Sequence, residues 1–180
     1  MTESTPPRDL ALVVNVAQRG HEIIADPSTA ADVVLGDWSP YRGGRTGKMD
    51  FDPDRIAVVV AHLQGGTPAV FDVVPDEGGK TWTWCQKPDY PGPRIRFNGV
   101  PSARFAAQVG ADAPVTWRQG EVWPVKTITL DELVEGDAPV TETEAGRRAV
   151  LGDAIVTMDG DHSITVSVPA GHTVTVRTRN

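Results

Sequence analysis

The chain contains 180 residues and carries a formal net charge of −7, with 39% hydrophobic and 23% charged residues. This composition is typical of a folded globular protein and argues against a predominantly disordered chain. The net acidity also argues against a protein that coats nucleic acid non-specifically, because neutralising phosphates requires a surplus of lysine and arginine. A local basic cleft remains compatible with this charge.

The single cysteine, Cys85, cannot form an internal disulfide, so nothing in the sequence requires an oxidising compartment. The opening residues, MTESTPPRDL, lack the charged and apolar segments of a secretory signal. No apolar run approaches the roughly 18 residues that a transmembrane helix needs. We therefore expect a cytoplasmic protein without a membrane segment.

The predicted elements begin with the apolar run LALVVNVAQ, which starts at Leu10 and indicates a strand followed by a turn at Arg19 and Gly20. A short helix is predicted between Pro27 and Gly36, because these residues supply its start and stop signals. The amino-terminal region therefore predicts one strand and one short helix.

Two apolar runs, at 55–63 and 68–74, are joined by the sequence QGGT and predict a β-hairpin. The first run is apolar almost throughout, which is typical of a strand buried on both faces. In the next run, KTWTWCQ, Trp82 and Trp84 share one face of a strand and Cys85 lies on the other. We expect the two indoles to face inward and to serve packing.

The remaining part of the main region predicts a strand in PRIRFNG, a helix in PSARFAAQVG and a strand in VWPVKTITL. Thr129 and Glu132 then have the spacing of a capping box, which predicts a short helix. Several short strands with frequent glycine and proline turns favour an antiparallel arrangement over a parallel sheet with long helical crossovers.

The carboxyl-terminal part has a different pattern. We predict a main domain at 1–136, an acidic joint at 137–149 and a three-stranded β meander at 150–180, built from the runs DAIVTM, SITVSV and HTVTVRT. The expected fold class is α+β and β-dominated: a small, partly closed antiparallel barrel with short helices, plus this meander.

The stretch YRGGRTGKMDFDPDR, at 41–55, resembles two binding motifs and satisfies neither. A phosphate-binding Walker loop requires serine or threonine after the glycine and lysine, where this chain has Met49, and a glycine at the position of Arg42. The three spaced aspartates resemble the start of a calcium loop, but Pro53 interrupts it. The loop's basic residues remain able to contact an anion through charge and exposed backbone N–H groups.

The tryptophans and basic residues give the main functional clue. Each of the five tryptophans is individually most simply a packing residue, but as a group they lie near arginines, which is what a base-stacking pocket requires. We predict that Trp38 and Trp117 stack on a ligand, that the phosphate contacts and the rim of the cleft come from basic residues, and that one lysine lines the cleft. These basic residues are Arg42, Arg45, Lys48, Arg118 and Lys126.

No cofactor and no metal site are predicted, because the four histidines show no metal-ligand spacing. His62 is interpreted as a core or rim residue at the end of an apolar strand. A cysteine and histidine pair for nucleophilic catalysis has no local support in the sequence.

A resemblance to a known class is carried by residues 33–130, through DWSPYRGG, the hairpin, RIRFNGVPSARFAAQVG and WRQGEVWPVKTI. These segments resemble a group of small uncharacterised prokaryotic and phage proteins, and the order of elements looks like the PUA and EVE class of small β-barrels. The matching residues are Trp38, Gly43, Arg94, Phe97, Gly99, Gly120, Pro124 and Lys126. The sequence departs from the pattern at 121–123. The resemblance implies a barrel and a ligand such as RNA or a modified DNA base.

Three functions from different classes stay open. The favoured one is a non-catalytic binding module that recognises a nucleic-acid feature, such as a modified or flipped base or a single strand. The second is a structural, phage-assembly or host-factor-antagonist protein, whose partner would pair with the edge HTVTVRT of the carboxyl-terminal meander. The third is an enzyme acting on a base or a nucleotide.

Overall fold

A β-dominated architecture with a few short helices is present in the computed structural model, which describes residues 7–42, 48–90, 92–135, 141–143, 146–151, 154–158 and 164–167. The strands of the main region are β1 (Leu10–Asn15), β2 (Ile56–His62), β3 (Val70–Val73), β4 (Trp82–Cys85), β5 (Arg94–Phe97), β6 (Gly99–Pro101) and β7 (Val125–Thr129). Its α-helices are α1 (Gly20–Ala25) and α2 (Ala30–Leu35), and single 3-10 turns lie at Pro27–Thr29, Pro53–Arg55, Ala106–Gln108 and Leu130–Glu132.

Five of these strands form one mixed sheet in the order β6, β3, β2, β1, β7. The central strands β1 and β2 run parallel, whereas the other three pairs are antiparallel. The antiparallel prediction is therefore wrong for the central pair. A parallel pair needs a crossover of about a dozen or more residues, and segment 16–55, with α1 and α2, supplies it.

The five-stranded sheet has β6 and β7 at its edges, and these two strands are not paired with each other. No closed barrel is therefore present in the ranges that the structure describes. The hairpin prediction is confirmed, since β2 pairs antiparallel with β3. The predicted capping box is also confirmed, with the Thr129 and Glu132 side chains each bonded to the other's backbone.

The sheet is buried on both faces, as the apolar runs of β1 and β2 indicate. On the first face, Leu12 and Val14 pack with α2 residues such as Val34. On the second face, Ala11 and Val13 pack with a cluster that includes Phe105. Each fully buried aliphatic side chain contributes roughly 1.5–3 kcal/mol relative to an exposed one, so these two clusters fix the positions of the loops at the ends of the sheet.

The predicted helix at 101–110 is reduced to the 3-10 turn Ala106–Gln108. The segment instead contributes the end of β6, which pairs with β3 through Pro101 and Phe71. Because Pro101 belongs to β6, the edge strand that pairs with β3, the segment does not begin as a helix, and only Gln108 and its neighbours keep a helical turn. The buried Gln108 donates to the carbonyl oxygen of Asp112 at 2.8 Å and thereby ties the turn to the next loop.

β4 and β5 form a separate two-stranded antiparallel sheet, attached to the rest by a backbone bridge between Trp38 and Ile95. Trp82 and Trp84 lie on the same face, as predicted, since they oppose Phe97 and Ile95. The prediction that both indoles face inward is wrong for Trp84, which is 47% exposed. The reason is that β4 is the outer strand, so only part of its inner face is covered.

The carboxyl-terminal strands form a four-stranded antiparallel sheet rather than a meander of three. Its strands are β8 (Thr141–Thr143), β9 (Gly146–Leu151), β10 (Ala154–Met158) and β11 (Ile164–Ser167), paired in sequence order. β8 and the start of β9 fall within the range 137–149 predicted to be a joint. The run HTVTVRT lies outside the described residues, and the division into domains stays a prediction.

None of the helices in the described ranges has the length and apolar character that a membrane crossing requires.

Candidate ligand-binding cleft

A cleft of about 470 Å³ opens at the carboxyl end of β1. It is formed by the turn after β1, the end of α2, the loop between β4 and β5, and the loop before β7. In open sheets with parallel strands, ligands bind outside the carboxyl ends of the strands. We call this the β1 cleft. Its aromatic and charged lining residues are Arg19, Asp37, Trp38, Lys87, Tyr90, Arg94, Glu121 and Trp123.

Three aromatic side chains line the β1 cleft, and they are held to different degrees. Trp38 is half-buried, and its Nε1 donates to the carbonyl oxygen of Val34 at 2.7 Å. Trp123 is also half-buried and packs against the first-face cluster. Tyr90 is 49% exposed. The two indoles therefore act as fixed walls, whereas the Tyr90 ring remains accessible from solvent.

Arg94 lies over the ring of Tyr90, with its Cζ 4.3 Å from the ring centroid. Its Nη1 donates to the backbone carbonyl oxygen of Asp37 at 2.7 Å. Among the described residues, its buried Nε has no hydrogen-bond partner and no carboxylate forms an ion pair with it. Since Arg94 as a whole is half-buried, a guanidinium that lies on an exposed aromatic ring without a carboxylate partner is suited to meet an anionic or planar group.

The Asp37 carboxylate organises the other cations beside the cleft. Asp37 is 9% exposed and accepts from Lys87 Nζ at 2.5 Å, Arg96 Nη2 at 3.1 Å and Cys85 Sγ at 3.2 Å. Burial acts to raise the pKa of Asp37, but the hydrogen bonds from Lys87, Cys85 and Arg96 outweigh it and leave the pKa below its ordinary value. Asp37 is therefore ionised at neutral pH and holds Lys87 in place.

The ion pairs continue away from Asp37 along the surface. Arg96 also pairs with Asp32 at 2.9 Å, and Asp32 accepts from Arg19 at 2.9 Å. Arg19 in turn pairs with Glu22 at 2.7 Å. Every cation in this chain of contacts has a carboxylate partner, so Arg19 contributes little uncompensated charge to the cleft. Arg94 is the cleft cation left without such a partner in the described ranges.

Cys85 is poorly suited to nucleophilic chemistry in this setting. Burial raises the pKa of its thiol, and the hydrogen bond to the Asp37 carboxylate raises it further. The thiol therefore remains protonated at neutral pH. The arrangement makes Cys85 a hydrogen-bond donor that helps to hold Asp37.

The amino-terminal part of the predicted site lies at or near the β1 cleft. Trp38 lines it. The Cζ of Arg42 is 5.8 Å from the ring centroid of Trp123, and its side chain is 73% exposed with a long contact of 3.3 Å to Asp50. Lys48 is exposed. Arg45 lies outside the described residues.

The carboxyl-terminal part of the predicted site lies beside the β1 cleft without lining it, because Trp117 and Lys126 contact the lining residues Trp123 and Glu121 but are not lining residues themselves. Trp117 packs against the second-face cluster, its Nε1 donates to the carbonyl oxygen of Trp123 at 2.7 Å, and its ring centroid is 4.6 Å from that of His62. Lys126 Nζ is 4.9 Å from the centroid of Trp117 and pairs with Glu121 at 3.0 Å. The exposed Arg118 donates its backbone N–H to Glu121.

Apart from Arg94, six aromatic or charged cleft residues were not predicted as site residues from the sequence: Arg19, Asp37, Lys87, Tyr90, Glu121 and Trp123. Arg94 was identified as part of a predicted strand and as one of the residues that carry the resemblance, but no role in the site was predicted for it. The loop KPDYPGP between β4 and β5 offered a signal, because an aromatic and a cation in a proline-rich loop are exposed by default. Its neighbours in the cleft come from segments far apart in sequence, and their meeting depends on the parallel pairing of β1 and β2.

Among the residues that the structure describes, no group of three or more histidine, cysteine, aspartate or glutamate side chains is placed to hold a metal ion. Comparisons of the chain with protein-family models, with curated proteins and with solved structures found no match.

Proposed function

We infer that the protein is a binding module whose β1 cleft accepts one base of a nucleic-acid strand, or a single nucleotide. The observation that carries this inference is the meeting of Arg94 and Tyr90 at the mouth of a cleft walled by Trp38 and Trp123. Aromatic faces and a planar guanidinium are the groups on which bases stack. The volume of about 470 Å³ suits one small ligand rather than a longer segment.

The charges of the cleft limit how many phosphates the ligand presents. Because Arg19 and Lys87 are engaged by carboxylates, Arg94 is the main cleft cation without a carboxylate partner among the described residues, and the exposed Arg42 can add a second contact. Each phosphate neutralised on a single strand contributes a slope of about −0.7 to the dependence of log affinity on log salt. With one or two contacts, we expect a slope of about −0.7 to −1.4.

The proposal is tested by tryptophan fluorescence during titration with short single-stranded DNA and RNA, with modified duplexes and with mononucleotides at low salt. We expect quenching, because stacking changes the environment of Trp38 or Trp123. Tyr90→Ala should weaken binding about 5- to 100-fold, as expected for the loss of one stacking partner. Because Tyr90 is 49% exposed, thermal stability should change little.

The matched control is Arg104→Ala, which removes an exposed cation beside an aromatic ring outside the β1 cleft, and binding should be unchanged in this variant. Lys126→Ala tests the Trp117 side, where it also frees the Glu121 carboxylate that lines the cleft. If Lys126→Ala weakens binding and Tyr90→Ala does not, the ligand binds at Trp117 rather than in the β1 cleft. If none of these ligands quenches fluorescence at low salt, the nucleic-acid proposal is wrong.

The second candidate is an interaction protein whose partner pairs with the carboxyl-terminal sheet. It is supported by the position of β11 at the edge of that sheet within the described ranges. Pairing of an extended partner with such an edge uses backbone hydrogen bonds. The partly closed barrel of the PUA and EVE class, a cytoplasmic location and an enzymatic activity on a base or nucleotide remain proposals alongside it.

A further inference from the structure

A second groove follows the outer strand of the small sheet, and its volume is about 580 Å³. It is lined by Asp54 and by the continuous segment 79–84. The two tryptophans of β4 and the threonine between them, Thr83, all line it, although the indoles and the threonine side chain point to opposite faces of the strand. The groove therefore runs along the edge of β4, and we call it the β4 edge groove.

The backbone of β4 has hydrogen-bonding groups directed into this groove. Ile95 exchanges both of its backbone hydrogen bonds with Trp38, at 2.9 and 2.8 Å, on the side of β5 away from β4. Ile95 opposes Trp84, so this is a non-hydrogen-bonded pair of the antiparallel ladder. The backbone groups of Trp82 and Trp84 consequently point away from β5.

No other strand pairs with β4 on that side within the described ranges. The N–H and C=O groups of Trp82 and Trp84 thus form a short ladder without a partner strand. Such an edge is a template for an additional strand. An extended polypeptide backbone has donors and acceptors at the spacing that matches this ladder.

The side chains beside this ladder form a surface for an apolar residue of the added strand. The rings of Trp82 and Trp84 meet nearly at right angles, at 89°, with centroids 5.3 Å apart. Trp82 Nε1 donates to Asp54 Oδ1 at 2.7 Å, which fixes its orientation, and the Tyr41 ring lies parallel to that of Trp84 at 6.5 Å. The exposed Trp84 can therefore bury more of its surface only against a partner.

The charges around the groove favour a basic partner. Asp54 and Lys80 line it and offset each other, and the exposed turn leading into β4 adds Asp76 and Glu77, so that these four residues leave an excess of negative charge. A second copy of this chain would bring two such acidic rims together, and each chain has a net charge of −7. Like charges placed opposite each other oppose association.

We propose that the β4 edge groove binds an extended, basic peptide segment of a partner protein, which adds a strand to β4 and seats an apolar side chain against Trp84. This interaction is independent of the β1 cleft. Its affinity comes from the backbone hydrogen bonds of Trp82 and Trp84, and its preference comes from the indole surface and the carboxylates.

The test uses hydrogen exchange of the backbone amides, measured by NMR on the full chain. In the free protein, the amides of Trp82 and Trp84 should exchange faster than those of Thr83 and Cys85, which face β5. A hexapeptide of alternating lysine and valine should then protect the Trp82 and Trp84 amides. The matching glutamate and valine peptide should bind about tenfold more weakly because of the acidic rim.

Two controls isolate the backbone and the charge. The lysine and valine peptide with every amide N-methylated keeps its side chains but lacks donors, and it should not protect β4. Asp54→Asn keeps an acceptor for Trp82 Nε1 while removing one charge, and it should weaken binding of the basic peptide about two- to fivefold.

Three results would overturn the proposal. The first is slow exchange of the Trp82 and Trp84 amides in the free monomer, which means that the edge is already covered. The second is equal binding of the N-methylated peptide, or no protection by the basic peptide at millimolar concentration. The third is protection that rises with protein concentration alone, which identifies a second copy of the chain as the occupant.

Discussion

The two faces of the sheet at the carboxyl end of β1 carry similar residues and differ in accessibility. On the first face, Trp38 and Trp123 border a cleft in which Arg94 lies over the Tyr90 ring and has no carboxylate partner in the described ranges. On the second face, Trp117 is covered by Lys126 and packs against the ring of His62. One aromatic and cation pair thus lies beside an open cleft, and the other closes the core.

The difference shows that proximity of an aromatic ring and a cation does not distinguish a site from a packing contact. What distinguishes them is whether the cation is already satisfied. Lys126 donates to the carbonyl oxygen of Thr116 and to the Glu121 carboxylate, so few of its donors remain for a ligand. Arg94 makes one described hydrogen bond, to a carbonyl oxygen of the backbone, and its ring partner is exposed.

The largest expected effect that tests this comparison is on Trp117. Trp117→Ala removes the hydrogen bond to Trp123 and the packing over His62 and the second-face cluster. We expect the free energy of unfolding to fall by about 3 kcal/mol, at the lower end for tryptophan because the side chain is half-buried. Chemical denaturation measures this change.

Tyr90→Ala is the matched control on the first face and should change the free energy of unfolding by less than about 0.5 kcal/mol. If the two variants were equally stable, Trp117 would not close the core. The comparison between the faces would then fail.

A smaller effect is expected at Asp37. Asp37→Asn keeps the size of the side chain and tolerates the positive φ of 63° at this position, but removes the charge that holds Lys87 and Arg96. We expect the free energy of unfolding to fall by about 2 kcal/mol at pH 7, which lies within the range for hydrogen bonds to a charged group. Asp89→Asn, at an exposed position, serves as control.

The pH dependence of that loss gives a second measurement. Because the folded-state pKa of Asp37 is lowered, its contribution is present above its ordinary pKa and is lost as pH falls through the folded value. The difference in the free energy of unfolding between the natural chain and Asp37→Asn should therefore shrink in acid. A difference that stays constant down to pH 3 would exclude a charge effect.

The sequence predicted the features that depend on neighbouring residues. The hairpin of β2 and β3 depends on two apolar runs and a glycine turn, and the capping box depends on Thr129 and Glu132, three residues apart. The parallel pairing of β1 with β2 was not predictable in this way, because it joins strands separated by segment 16–55. Sequence signals from neighbouring residues identify the strands, but they do not show which strands pair with each other when a long segment separates them.

The candidate site was only partly predictable for the same reason. Trp38 was identified from its surroundings in the sequence, but its partners come from segments brought together by the crossover and by the β4 and β5 sheet. Trp117 was assigned to the same cleft because Arg118 follows it. A strand alternates its faces at every residue, so the side on which Lys126 lies depends on register, and the register of β7 with β1 places Lys126 opposite Val13 on the second face. Trp117, in the loop before β7, packs beside Lys126 on that face.

The smallest expected effect concerns His62, which is 8% exposed at the end of β2 and has an Nδ1 without a hydrogen-bond partner among the described residues. Burial, together with the charge of Lys126, keeps the pKa of His62 below its ordinary value. The unfolded chain therefore takes up a proton at a higher pH than the native one. As pH falls below about 6.5, the free energy of unfolding should decrease, and the decrease should end once pH passes below the folded-state pKa.

His62→Gln should flatten this part of the stability profile, measured by denaturation between pH 7 and pH 5, whereas the exposed His21→Gln controls for the loss of one histidine. An unchanged slope in His62→Gln would mean that the second face admits water and charge at this position, and that the closed packing around Trp117 does not exist.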